Sequence, residues 1–71
     1  MPHKYPILKP EEVIKILKKN GLSNVSQKGS HRKYSDGFHV VIVPMHDTLA
    51  RGTLMSIIQQ SGLSLQDFID K

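Results

Sequence analysis

The chain contains no cysteine, and this absence removes two common ways of stabilising a small protein. Without thiols it can form neither a disulfide framework nor a thiolate metal site. The four histidines lack the close spacing of zinc ligands, so we expect no metal and no small-molecule cofactor. No apolar run suits a signal peptide or a membrane span. The sequence therefore predicts a soluble cytoplasmic protein that does not associate with membranes.

Acidic residues are also scarce, since six Asp and Glu face ten Lys and Arg, for a formal net charge of +4. Eight of the ten basic residues lie among the first 33 positions. Such an asymmetric basic surface favours a polyanionic partner, either a nucleic acid or an acidic protein. Charge alone is equally compatible with an ordinary solvated surface.

The length of 71 residues predicts a single small domain over residues 1–71, with residues 1–8 as a flexible amino terminus. Hydrophobic patterning predicts two main helices around three strands, followed by a short third helix through Asp70. The expected spans are 10–20 and 52–61 for the main helices and 22–28, 31–35 and 38–43 for the strands. This order predicts an α+β fold, an α-β-β-β-α two-layer sandwich with a short C-terminal helical turn and both main helices on one sheet face. The same order matches the double-stranded RNA-binding fold.

Local signals mark the helix ends. Pro10 suits the first position of a helix, and Gly21 suits the residue that follows one. Thr53 is the predicted N-cap of the second main helix, and Gly62 is its predicted stop. Ser64–Asp67 resembles a capping box, with Asp in place of Glu.

The pair Asp36-Gly37 predicts a two-residue hairpin loop between the last two strands. That loop would place Tyr34 opposite His39, and His31 opposite Ile42. Strand alternation then separates the side chains into two faces. The helix-facing set is Tyr34, Val41 and Val43, and the open set is His31, Lys33 and Ser35.

His31 is the strongest candidate for chemistry because it is an imidazole among cations, with no carboxylate between Gln27 and Asp36. Imidazole titrates near neutral pH, and the cations would attract a phosphodiester. The alternative is a histidine at a strand end that merely faces solvent. The residues expected to contact RNA are Lys28, Gly29, Ser30, Arg32 and Lys33, although strand alternation can direct Arg32 away from His31.

We expect different roles for the other three histidines. His46 is a possible second proton-transfer group, since it lies just before a helix whose free N–H groups can hold phosphate. The alternative for His46 is a capping or packing role in the Pro44-Met45 turn. We expect His39 to be structural and His3, near the amino terminus, to have no functional role.

Three blocks of sequence resemble the HicA (YcfA-like) toxin family. They are Gln27-Lys28-Gly29-Ser30-His31, Val41-Ile42-Val43-Pro44-Met45-His46, and Gly52 through Ser64, with the family's tail echoed by Gln66-Asp67-Phe68. The resemblance implies a toxin of a bacterial or archaeal toxin–antitoxin pair, acting as a metal-independent endoribonuclease on mRNA. It also implies that His31 is catalytic and that a HicB-type antitoxin covers the active site. The alternatives are a non-catalytic double-stranded RNA-binding module and a degenerate toxin that only binds a partner protein.

Overall fold

A computed structural model describes residues 6–69 of the chain. Its elements, in chain order, are α1 (Pro10–Lys19), β1 (Ser23–Lys28), β2 (His31–Ser35), β3 (Val40–Pro44), α2 (Arg51–Ser61) and α3 (Leu65–Ile69). The strands form one antiparallel sheet in the order β1-β2-β3. The α+β prediction and the α-β-β-β-α order are therefore confirmed.

The core lies between the helices and one face of the sheet, because apolar residues repeat at helical spacing in α1 and α2 and at alternate positions in β3. Tyr34 is the largest buried side chain of the sheet. The other members of the core include Val13, Ile14, Ile16, Leu17, Val41, Val43, Leu54, Ile57, Ile58 and Phe68. Among residues 6–69, no helix lies on the other face of the sheet, and Val40 and Ile42 are exposed there. The residues that project from this face are consequently accessible.

The hairpin between β2 and β3 has a four-residue loop, so the predicted two-residue loop was wrong. Tyr34 lies opposite Val41, whereas the prediction placed it opposite His39. Asp36 explains the longer loop, since its Oδ1 accepts the backbone N–H groups of Phe38 (2.8 Å) and His39 (2.7 Å). The observed pairing of β2 with β3 is shifted by two residues from the predicted one. Side chains alternate between the two faces with a period of two residues, so each side chain stays on its predicted face, and the predicted division into two faces is confirmed.

The helix ends agree with prediction at three places and differ at one. Pro10 begins α1, Gly62 follows α2 with a φ of 73°, and the Ser64–Asp67 capping box is present, with Ser64 N donating to Asp67 Oδ2 at 2.9 Å. Thr53 is not the N-cap of α2, because the helix begins at Arg51 and Leu54 N donates to the carbonyl of Ala50. Among residues 6–69, no helix combines the length and apolar character needed to cross a membrane.

The segment before α1 is partly held in the core. Leu8 is buried, and its carbonyl oxygen accepts the N–H of Leu49 at 2.9 Å. The expected flexible terminus therefore cannot extend to residue 8. His3 and Asp70 lie outside the described residues.

Both edges of the sheet carry irregular features. At the β3 edge, Ile42 N donates to Gln60 Oε1 of α2 at 3.2 Å. At the β1 edge, the register shifts between Asn24 and Ser26, which leaves Val25 as a bulge residue. Asn24 Nδ2 also donates to the carbonyl oxygen of Ser26 at 3.3 Å.

Candidate active site

The candidate site begins at the tight turn between β1 and β2. Lys28 lies opposite His31 in the ladder, so Gly29 and Ser30 form a two-residue loop. Gly29 has a φ of 61°, which fits the first loop position of a II′ turn. The turn fixes His31 as the first residue of β2, and its side chain is exposed on the open face of the sheet.

His46 lies directly beside His31. Pro44 is opposite His31, and a hydrogen bond from Met45 N to the carbonyl oxygen of Ser30 continues the pairing beyond the end of β3. A residue two positions after Pro44 returns to the same face, so His46 projects next to His31. The two ring centroids are 5.9 Å apart and the rings are nearly perpendicular, at 88°. His46 Nε2 is also 3.5 Å from Ser30 Oγ, the outer limit of a hydrogen bond.

The predicted register hid this neighbour. With a two-residue loop, His31 would lie opposite Ile42, four positions before His46. The sequence feature that could have predicted the longer loop is Asp36, because an Asp side chain can accept hydrogen bonds from the backbone N–H groups that follow it. The longer loop brings Pro44 opposite His31. The structure therefore brings together two histidines that the sequence separates by 15 positions.

A shallow depression of about 460 Å³ extends from His31 across the open face. Within the described part of the chain its lining contains no carboxylate and consists of Ser26, Lys28, His31, Arg32, Lys33 and Ile42. Lys28 and Lys33 are exposed and share the face of His31. Arg32 differs, because it lies opposite the buried Val43, and its Nε is buried without a hydrogen-bond partner among the described residues. Lys28 and Lys33 are thus the cations best placed to contact an anion beside His31.

His39 lies beyond the far end of β2 and has the structural role that we predicted, although its predicted partner Tyr34 was wrong. Its Nδ1 is 3.0 Å from Asp36 Oδ2. The pKa of Asp36 is held well below its usual range, mainly by the backbone N–H of His39 and also by the His39 side chain and the N–H of Phe38. The loop carboxylate is therefore engaged by its own hairpin, away from the candidate site.

The same region of the chain carries the family relationship. A family model described as the HicA toxin of bacterial toxin–antitoxin systems matches residues 10–63. The chain belongs to the HicA toxin family. The match extends from α1 through α2 and includes both His31 and His46. Membership in the HicA family makes the chain a toxin with an antitoxin as its partner, and it confirms the resemblance seen in the sequence.

A search among curated proteins finds no match. Within residues 6–69, no group of three or more His, Asp or Glu side chains is arranged to hold a metal ion.

Proposed function

We propose that this toxin is a metal-independent endoribonuclease that cleaves mRNA and uses His31 as a catalytic residue. The observation that carries the proposal is the position of His31, exposed on an uncovered sheet face beside two cations. Lys28 lies opposite it on β1, and Lys33 follows on the same face of β2. An RNA strand can reach the imidazole there without any rearrangement of the core.

RNA carries its own nucleophile, the 2′-hydroxyl, so cleavage requires proton transfer and stabilisation of negative charge. Neutral His31 can accept the 2′-hydroxyl proton as the oxygen attacks phosphorus. Lys28 and Lys33 can offset the charge on the phosphoryl oxygens, and the Gly29-Ser30 turn presents backbone N–H groups nearby. Arg32 contributes to the positive potential, while its position opposite Val43 argues against direct contact with the reacting phosphate.

The partner proposed for this face is a HicB-type antitoxin. The exposed side chains of Val40 and Ile42 lie on the same open face as the two lysines. This combination of apolar and cationic groups suits a protein partner with apolar and acidic side chains. An antitoxin bound there would prevent RNA from reaching His31.

The test compares the wild type with His31→Gln and with His39→Gln, a matched substitution at an exposed histidine outside the site. Each protein is induced in cells to score growth arrest, then purified and incubated with RNA in the presence of EDTA. We expect His31→Gln to lower the cleavage rate by about 10²–10⁴-fold, the range for loss of one general acid or base. His39→Gln should cleave like the wild type.

The controls separate loss of chemistry from loss of structure. Urea unfolding must show that His31→Gln remains folded, and co-expression with a HicB-type antitoxin should suppress growth arrest. Equal cleavage by the wild type and His31→Gln would refute the assignment. Binding of duplex RNA without cleavage by the wild type would instead favour the non-catalytic module.

A further inference from the structure

We propose that His46 is the second proton-transfer group of the reaction, so that His31 and His46 act as an acid–base pair. This inference rests on the proposed ribonuclease function and goes beyond it, since that function requires only His31. The observation behind it is the contact between the two exposed rings, whose centroids are 5.9 Å apart.

The separation suits one shared phosphodiester. A general acid or base must approach its own oxygen to about 2.6–3.2 Å, and the 2′- and 5′-oxygens are two different atoms bonded to the same phosphorus. The ring centroids are 5.9 Å apart, so both rings border the space that one phosphate would occupy. Both rings are exposed, so side-chain rotation can direct a nitrogen of each ring towards a phosphate placed over the Gly29-Ser30 turn.

Neither ring has a carboxylate partner among residues 6–69, and in this they differ from His39, which is paired with Asp36. The Ser30 hydroxyl oxygen lies 3.5 Å from His46 Nε2. Lys28 lies opposite His31 on β1, Lys33 follows His31 by two positions on β2, and Asp47 follows His46 in the chain. Both imidazoles are therefore available to exchange protons with a substrate.

The reaction balances with these two groups alone. One neutral imidazole takes the proton of the 2′-hydroxyl, and the 2′-oxygen forms a bond to phosphorus. The bond from phosphorus to the 5′-oxygen breaks, and the other imidazole, which starts protonated, gives its proton to that oxygen. The products are a 2′,3′-cyclic phosphate and a 5′-hydroxyl. The two histidines finish with their protonation states exchanged, and solvent water restores them.

The first experiment measures kcat/KM for RNA cleavage against pH for the wild type, His46→Gln and His39→Gln. An acid–base pair gives a bell-shaped profile in the wild type. We expect His46→Gln to lower the maximum by at least about 10²-fold and to remove one limb of the bell. His39→Gln should retain both limbs. Loss of amplitude with both limbs intact would show that His46 is only structural, and a wild-type profile with one limb would also overturn the proposal.

The second experiment uses a nucleoside 3′-(p-nitrophenyl phosphate), whose leaving group departs without a proton. If His46→Gln removes the alkaline limb, His46 is the acid, and the variant should cleave this substrate as fast as the wild type. If it removes the acidic limb, His46 is the base, and both substrates should lose rate equally. Disagreement between the pH profile and the leaving-group response would refute proton transfer by His46.

Failure of this inference can be told apart from failure of the proposed function. Full activity in His46→Gln, with none in His31→Gln, leaves the nuclease assignment standing and removes only the second group. Absence of cleavage by the folded wild type removes both. Urea unfolding of His46→Gln confirms that the comparison is made between folded proteins.

Discussion

Replacement of Gly62 by alanine should destabilise the domain through two separable effects. Gly62 follows α2 with a φ of 73°, a left-handed conformation that costs a residue with a Cβ about 1–2 kcal/mol. An added Cβ would also clash with Nε2 of His39. The His39 ring must therefore move, and it is held in place by Asp36.

The steric effect should add about 1–3 kcal/mol, the usual cost of inserting a methyl group into a packed site. Its size depends on how easily His39 swings out, since 45% of that side chain is exposed. The total of about 2–5 kcal/mol is large for a domain of this length, for which stabilities of roughly 4–11 kcal/mol are typical.

Two other glycines provide matched controls. Gly21 has a φ of 92° and nothing within 4 Å of an added Cβ, so Gly21→Ala should show the backbone cost alone. Gly52 lies in α2 without a positive φ and with open space around it. Gly52→Ala should therefore stabilise the protein, by less than the value of about 0.5–1 kcal/mol for the middle of a helix, because Gly52 lies in the first turn of α2.

The free energy of unfolding can be measured by urea titration followed by circular dichroism. We expect Gly62→Ala to cost more than Gly21→Ala, and we expect the excess to disappear when both glycine variants are placed in a His39→Ala background. The reasoning fails if Gly62→Ala costs no more than Gly21→Ala, or if its excess persists without the His39 ring.

Two further predictions concern the hairpin loop and the core. Because the pKa of Asp36 is lowered by folding, its stabilising effect is complete above the unfolded pKa of about 3.9 and is lost as the pH falls below that value. The urea midpoint of the wild type should accordingly fall more steeply below about pH 4 than that of Asp36→Asn, and parallel curves would contradict the assignment. Phe68 is fully buried, so Phe68→Ala should lower the free energy of unfolding, measured by urea titration, by about 3–5 kcal/mol. The control is Ile69→Ala at the half-exposed neighbouring position, which should cost less than about 1 kcal/mol. Similar costs for the two variants would show that α3 is not anchored by Phe68.

Much of the fold was predictable because its signals are local. Pro10 at the start of α1 and the Ser64–Asp67 capping box act within a single turn of helix, and both are present as predicted. The burial of Tyr34 on the helix-facing side was also predictable, because alternation along a strand tolerates a register error of two residues.

The errors arose where one local signal competed with another. Asp36-Gly37 is a common two-residue hairpin pair, but the Asp36 carboxylate instead bonds to the next backbone N–H groups and lengthens the loop. Thr53 is a suitable cap, yet the first turn of α2 closes on Ala50 without one. The position of His46 beside His31 depends on the length of the same loop. Because the predicted loop was two residues too short, the prediction left these two histidines apart.

The two edges of the sheet determine how a partner can approach. At the β3 edge, the side-chain oxygen of Gln60 already accepts the backbone N–H of Ile42. At the β1 edge, the bulge at Val25 interrupts the regular spacing of the backbone N–H and C=O groups. Side-by-side addition of a foreign strand is therefore disfavoured at either rim. We therefore expect an RNA or polypeptide ligand to bind flat against the exposed face of the sheet, where it would meet the side chains of His31 and His46.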